Sequence, residues 1–212
     1  MNDIILPCPK CLKTPTLCVC QWITPIKLKT KVLILQHPQE PDKDLGSAQM
    51  AHLCLEGSKL KVGLSWASLK KVLGNDANPK EWLVLFLGTA KVKAGLTDWK
   101  SPLVLVDKKG NPLEEQKRLL RGIKGLVVLD GNWSQAKTLW WRNPWMLKLQ
   151  RGVLLPKEKS LYGRLRREPR RESLSTIESI ALALSVLEPA NKLQDPLLEP
   201  FKNLLKLWTS SN

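Results

Sequence analysis

The chain predicts an α/β domain with a mostly parallel sheet, preceded by a small cysteine-built metal knuckle. Three observations carry that prediction. Short apolar, β-rich runs recur along the chain and do not alternate with polar residues, as strands buried on both faces read. Helix-type stretches with recognisable start and stop signals separate those runs. Four of the 5 cysteines fall between residues 8 and 20 of a 212-residue chain.

In chain order, residues 1–24 show neither helical nor strand periodicity and are read as the knuckle, with 25–212 as the main domain. Cys8-x-x-Cys11 and Cys18-x-Cys20 supply two close pairs, and Thr14-Pro15 between them helps the chain turn back. Zinc takes four soft or borderline ligands in a tetrahedron, so Cys8, Cys11, Cys18 and Cys20 are the expected ligands of a closed, structural zinc site. Free thiols or a redox pair are the alternative, which the crowding of four cysteines in so short a span disfavours. Cys54 lies in an apolar helical stretch and reads as a small core residue. Strands are expected at Lys31–Gln36, Glu81–Leu87, Leu103–Val106 and Leu126–Leu129. Helices are expected at Ser47–Leu55, at Ser65–Leu73 before Gly74, and at Pro112–Arg121, which has Pro at its start, acids in its first turn and Gly122 beyond its end. Asn132-Trp-Ser-Gln135 and Ser175-Thr-Ile-Glu178 both fit a capping box. The second opens a helix with Ile177, Ile180, Ala181, Leu184 and Leu187 on one face, stopped by Pro189. A last packing helix is expected over Asn191–Trp208.

Charge narrows the function. Lys plus Arg number 34 against 19 Asp plus Glu, a net charge of +15. Such an excess suits a polyanionic partner, nucleic acid or anionic membrane. No apolar run approaches a spanning helix, which disfavours the membrane. Residues 1–7 lack the features of a signal peptide, so a reducing, cytoplasmic compartment is expected. The chain holds 9 Trp. They serve the core or stack on bases, and composition does not choose. A basic stretch from Arg151 to Arg171 includes Arg164, Arg166, Arg167, Arg170 and Arg171. It reads as a phosphate-gripping loop, or more blandly as a solvated one. It runs into the helix N-terminus at 175, which itself favours anions.

Two residues stand at strand ends, where ligands bind in open parallel sheets. Asp130 follows a buried strand, with Gly131 allowing a sharp turn into the next helix. It is placed for chemistry or merely caps that helix, and the sequence leaves both open. His37, after the first strand, either touches a ligand or phosphate or is a satisfied rim histidine.

Several segments together resemble the DTW-domain family. They are Leu35-Gln-His-Pro-Gln-Glu40, Val127-Val-Leu-Asp-Gly-Asn-Trp-Ser-Gln-Ala136, Leu165-Arg-Arg-Glu-Pro169 and Leu174-Ser-Thr-Ile-Glu178, in order and approximate spacing, together with the cysteine cluster. The family's members are tRNA-uridine aminocarboxypropyltransferases. The resemblance implies a SPOUT-like fold with a C-terminal trefoil knot. It further implies S-adenosylmethionine as co-substrate, tRNA as partner, and transfer of a 3-amino-3-carboxypropyl group to uridine N3. Asp130 would then act as general base or orient the base. Gly88, Leu129, Leu155, Tyr162, Leu174, Ser175 and Thr176 would contact the co-substrate. His37 and the arginines at 164, 166, 167, 170 and 171 would contact RNA. The chain departs from the family's Asp-x-Thr-Trp motif in having Asn132 where Thr is usual, and Asn caps a helix as Thr does. A monomer is expected. The rival expectations are a SPOUT-type RNA methyltransferase and a non-catalytic zinc-knuckle RNA-binding protein.

Overall fold

Strand β1 (Lys31–Gln36) lies inside a six-stranded sheet with its whole length after Lys31 buried. The structure is a computed structural model and describes residues 6–41, 43–85, 99–163, 165 and 174–211. The other strands are β2 (Lys59–Val62), β3 (Trp82–Leu85), β4 (Leu103–Val106), β5 (Gly125–Asp130) and β6 (Gln150–Leu154). Their spatial order is β2-β1-β5-β3-β6-β4. All neighbours run parallel except β4, which pairs antiparallel with β6 at one edge.

The non-alternating runs are explained by two covered faces. On β1, Val32 and Ile34 point into one core, and Leu33 and Leu35 into the other. Leu126 and Val128 on β5 share the first face, and Val127 and Leu129 the second. Helices α1 (Ala48–Cys54), α5 (Thr176–Leu187) and α6 (Gln194–Ser211) cover the first face. Helices α2 (Leu69–Leu73) and α4 (Trp133–Arg142) cover the second, with a 3-10 turn at Pro144–Lys148. A Cβ at Gly125 would sit 2.4 Å from the ring of Trp82, so only glycine lets that indole lie across the paired strand.

Strands β2 and β6 are additions to the four expected. β2 is an edge strand carrying Lys59 and Lys61, so it shows no apolar run. β6 begins Gln150-Arg151-Gly152 and reads as part of the basic stretch, yet Arg151 is buried with its guanidinium 5.9 Å from the centroid of the Trp140 ring. The helix expected from Pro112 starts instead at α3 (Gln116–Arg121). Pro112 bridges to Val106, and the Gln116 side chain bonds both the N–H and the C=O of Leu105. That amide stands in for a further strand along β4 and closes its edge. The helix expected from Ser65 starts at Leu69, capped by Ser68 and ended by Gly74 at φ 73°. Residues 65 and 66 bind the end of α4 instead: Ser65 donates to Arg142 O, and the Trp66 N–H to Asn143 Oδ1. The last helix begins at Gln194, three residues later than expected, after a 3-10 turn at Pro189–Asn191. Residues 86 and 87 of the strand expected at Glu81–Leu87 lie outside the described residues. Among the described residues no helix is long and apolar enough to cross a membrane.

Candidate active site and metal centre

The carboxyl ends of β1 and β5 meet side by side, with Gln36 and Asp130 as register partners. Asp130 is 7% exposed. One carboxylate oxygen accepts from Gln36 Nε2 at 2.8 Å, and the other accepts from the hydroxyl of Thr176. Donors from two elements therefore fix its orientation. The turn that follows is built for close passage: a Cβ on Gly131 would lie 2.8 Å from Gln135 Cβ. Asn132 then starts α4 with a reciprocal capping box, its side chain accepting from Gln135 N while Gln135 Oε1 accepts from Asn132 N. Asn132 thus does at the helix start what a capping residue must do. Gln135 also donates to Gln39, which ties the turn after β1 to α4.

Thr176 reaches Asp130 because α5 begins there. Ser175 accepts from Glu178 N, and Glu178 accepts from Ser175 N. The Glu178 carboxylate also accepts from Ser160 Oγ and Leu161 N, so the turn at 160–162 is fastened to the helix start. The Ile177 N–H donates to Ser47 Oγ at the head of α1. The N-termini of α1 and α5 and the ends of β1 and β5 thus form one polar rim.

The other expected residues fall around this rim unevenly. His37 extends the β1–β5 pairing through its N–H to Asp130 O at 2.9 Å, and its Nδ1 accepts from Gln39 N. Leu129 is buried in the α2–α4 core, and Leu174 is half-buried just before the Ser175 cap. Leu155 follows β6, two strands from β5 or about 10 Å along the edge. Tyr162 was expected on an apolar wall of the co-substrate. The structure places it in the core, 2% exposed, with its hydroxyl donating to Leu45 O and its ring edge-on to Phe201 at 5.1 Å. Gly88 and the arginines at 164, 166, 167, 170 and 171 lie outside the described residues.

Lys13 is the residue sequence reading missed. It comes from the cysteine knuckle yet is 4% exposed, donating to Lys43 O at 2.7 Å. Burial pulls its ammonium down to about 8, and the charges of Asp44, Cys11 and Asp130 oppose that fall. No spacing could reveal this, because Lys43, Asp44 and Asp130 come from distant parts of the chain.

The four knuckle thiols lie within 4.8 Å of one another. Cys8 and Cys20 are 3.6 Å apart, and Cys11 and Cys18 3.8 Å. A tetrahedron of thiolates around zinc requires about 3.8 Å between sulfurs, from Zn–S bonds of about 2.3 Å. Backbone N–H groups of Cys11 and Lys10 hold the Cys8 thiol down to about 6. Burial, reinforced by the neighbouring Cys8 sulfur, pushes Cys20 up to about 12. Four sulfurs this close are suited to sharing a cation, and this cluster can hold one metal ion. The knuckle is continuous with the core: Cys11, Leu17 and Val19 are buried in the cluster that includes Leu197, Phe201 and Leu204 of α6.

A DTW domain matches residues 6–209. The chain is 27% identical over 202 residues to tRNA-uridine aminocarboxypropyltransferase 2 of Macaca fascicularis, covering 93% of this chain and 61% of that protein. The Mus musculus protein of the same name is also 27% identical, with the same coverage. The Drosophila melanogaster one is 29% identical over 209 residues, covering 94% of this chain and 73% of that protein. The chain therefore spans about 61% of the length of the two mammalian relatives. No solved structure matches it. The match over nearly the whole chain makes this chain a member of the DTW-domain family.

Proposed function

We propose that this protein transfers the 3-amino-3-carboxypropyl group of S-adenosylmethionine to N3 of a tRNA uridine, releasing methylthioadenosine. The observation that carries the reading is the Asp130 carboxylate, fixed by Gln36 and Thr176 at the carboxyl edge of a parallel sheet. Relatives named for this transfer support it. The co-substrate supplies a sulfonium whose side-chain γ-carbon accepts the uridine nitrogen as the carbon–sulfur bond breaks.

The protein's part is positional and electrostatic. Uridine N3 carries a weakly acidic proton that must leave as the nitrogen attacks. A carboxylate fixed in one orientation accepts that proton, or holds the uracil so that solvent takes it. Gln36 and Thr176 restrict Asp130 to one rotamer, and Thr176 does so from a helix locked by its own capping box. The rim of β1, β5, α1 and α5 is polar and partly lined by half-buried apolar residues such as Leu174, which suits a ligand with charged and apolar parts. Lys13 brings a positive charge to the same edge, where it balances Asp130 and favours anionic groups.

The knuckle would hold zinc through Cys8, Cys11, Cys18 and Cys20. A closed four-thiolate site braces structure and leaves no place for a reacting group. The basic stretch up to residue 171 would grip tRNA phosphates. A SPOUT-like knotted fold, a monomeric state and a cytoplasmic setting belong to the same reading.

The test is product identity. Purified protein with S-adenosylmethionine and unmodified tRNA is expected to release methylthioadenosine only when tRNA is present. Release of S-adenosylhomocysteine would make the chain a methyltransferase. RNA binding without turnover would make it a binding protein.

A further inference from the structure

The outer face of α4 carries a pattern that the core does not need. At 3.6 residues per turn, Trp133, Lys137 and Trp141 fall within a stripe about 80° wide. The Lys137 ammonium lies 5.4 Å from the centroid of the Trp133 ring. Trp141 is 77% exposed, the most exposed of the chain's 9 tryptophans. Packing is handled elsewhere on the helix, by Ala136 and Leu139.

The stripe has a direction. It starts three residues beyond Asp130 and runs about 12 Å along the helix to Trp141. It also has one sign of charge. The chain has no acidic residue from Gly131 to Lys157, while Lys137, Arg142 and Lys148 within that span are exposed bases. Arg142, directly after Trp141 in the chain, is exposed, as is Lys148 seven residues on. An exposed indole among cations, with no acid to attract a basic partner, fits bases joined by phosphates better than a protein surface.

We propose that the Trp133–Lys137–Trp141 face of α4 is a track for single-stranded RNA leading to Asp130. A base flanking the target uridine stacks on Trp141. The strand then passes Lys137, which meets a phosphate, and reaches the edge of the sheet beside Trp133. The inference rests on the reading that the target nucleotide sits at Asp130. It adds that the substrate is presented as an unpaired loop, because a base must leave its duplex to offer a face to an indole.

Fluorescence anisotropy with labelled RNA tests this at fixed salt, using an unmodified stem-loop and a duplex of matched length. Trp141→Leu is expected to bind the stem-loop roughly tenfold more weakly. Trp141→Phe, which keeps an aromatic face, should retain most of the affinity. Duplex binding should be unaffected by either change. Lys137→Gln should lower the salt slope of log K by about 1. Trp141 is at the surface, so its variants should melt as the unsubstituted protein does. Equal stem-loop affinity of Trp141→Leu and the unsubstituted protein would overturn the proposal. So would a Trp141→Leu protein that changes only its self-association, which would make this face a protein contact. The two readings fail separately. If the unsubstituted protein makes no methylthioadenosine but Trp141→Leu loses RNA affinity, the track stands and the transfer reading falls. If transfer occurs and Trp141→Leu binds and reacts unchanged, the track alone falls.

Discussion

Asp130 accepts a hydrogen bond on each carboxylate oxygen, from an amide on one side and a hydroxyl on the other. Both donors can reverse their sense, the amide by flipping and the hydroxyl by rotating. Asp130→Asn should therefore fold normally while losing the acceptor that the proposed mechanism assigns to the uridine N3–H. We expect kcat/KM for methylthioadenosine release to fall about a hundredfold or more, and undiminished release would remove Asp130 from the mechanism. In the proposed mechanism Thr176 acts through Asp130, to which its hydroxyl donates. Thr176→Val should lower kcat with KM little changed, and Thr176→Ser should restore it; an equal loss in both variants would point to packing. A different residue governs stability. Asn143 is fully buried, accepts from Trp66 N and Trp145 Nε1, and donates to Leu64 O and Leu139 O. Asn143→Ala should cost about 2–4 kcal/mol in urea unfolding, because several buried groups lose their partner. Asp130 was legible as a strand-end acid, but its partners were not. Gln36 is 94 positions away and Thr176 46, and both meet it only because β1 pairs with β5 and α5 starts above them.

Among the elements, the capping boxes at Asn132 and Ser175 were readable because their chemistry is local, three residues wide. The Ser175 box does more than end a helix. Glu178 gathers Ser175, Ser160 and Leu161, so it sets where α5 starts and where Thr176 stands. Ser175→Ala should cost about 1 kcal/mol. Glu178→Ala should cost more and lower transfer as well, because the turn at 160–162 is released with it. Equal stability of the two variants would contradict that account. Strands β1, β4 and β5 were legible because both their faces are apolar. β2 was hidden by its edge position and its lysines. β6 was hidden because Arg151 lies against Trp140 where an aliphatic residue would have signalled a strand. Pro112 looked like a helix start, and only its pairing with Val106 shows otherwise.

At the scale of the whole molecule, the cysteine knuckle and the α/β core share one apolar interior, and Lys13 ties the knuckle to the chain at Lys43. Removing the metal with a chelator should therefore lower the melting temperature of the entire domain in a single transition. Mass spectrometry after alkylation should then find Cys8, Cys11, Cys18 and Cys20 modified. Cys54 should stay unmodified while the chain is folded, since burial pushes its thiol up to about 12. A melting temperature unmoved by chelation would separate the knuckle from the fold. The charge of +15 was plain from composition, but the stripe on α4 became visible only once the helix showed which tryptophans its packing leaves outside. The proposed transfer ties these scales together. The most direct test is the small molecule released from S-adenosylmethionine by the purified protein and unmodified tRNA. Methylthioadenosine, dependent on tRNA and lost in Asp130→Asn, is the result expected. S-adenosylhomocysteine, or methylthioadenosine formed equally well without Asp130, would contradict the account.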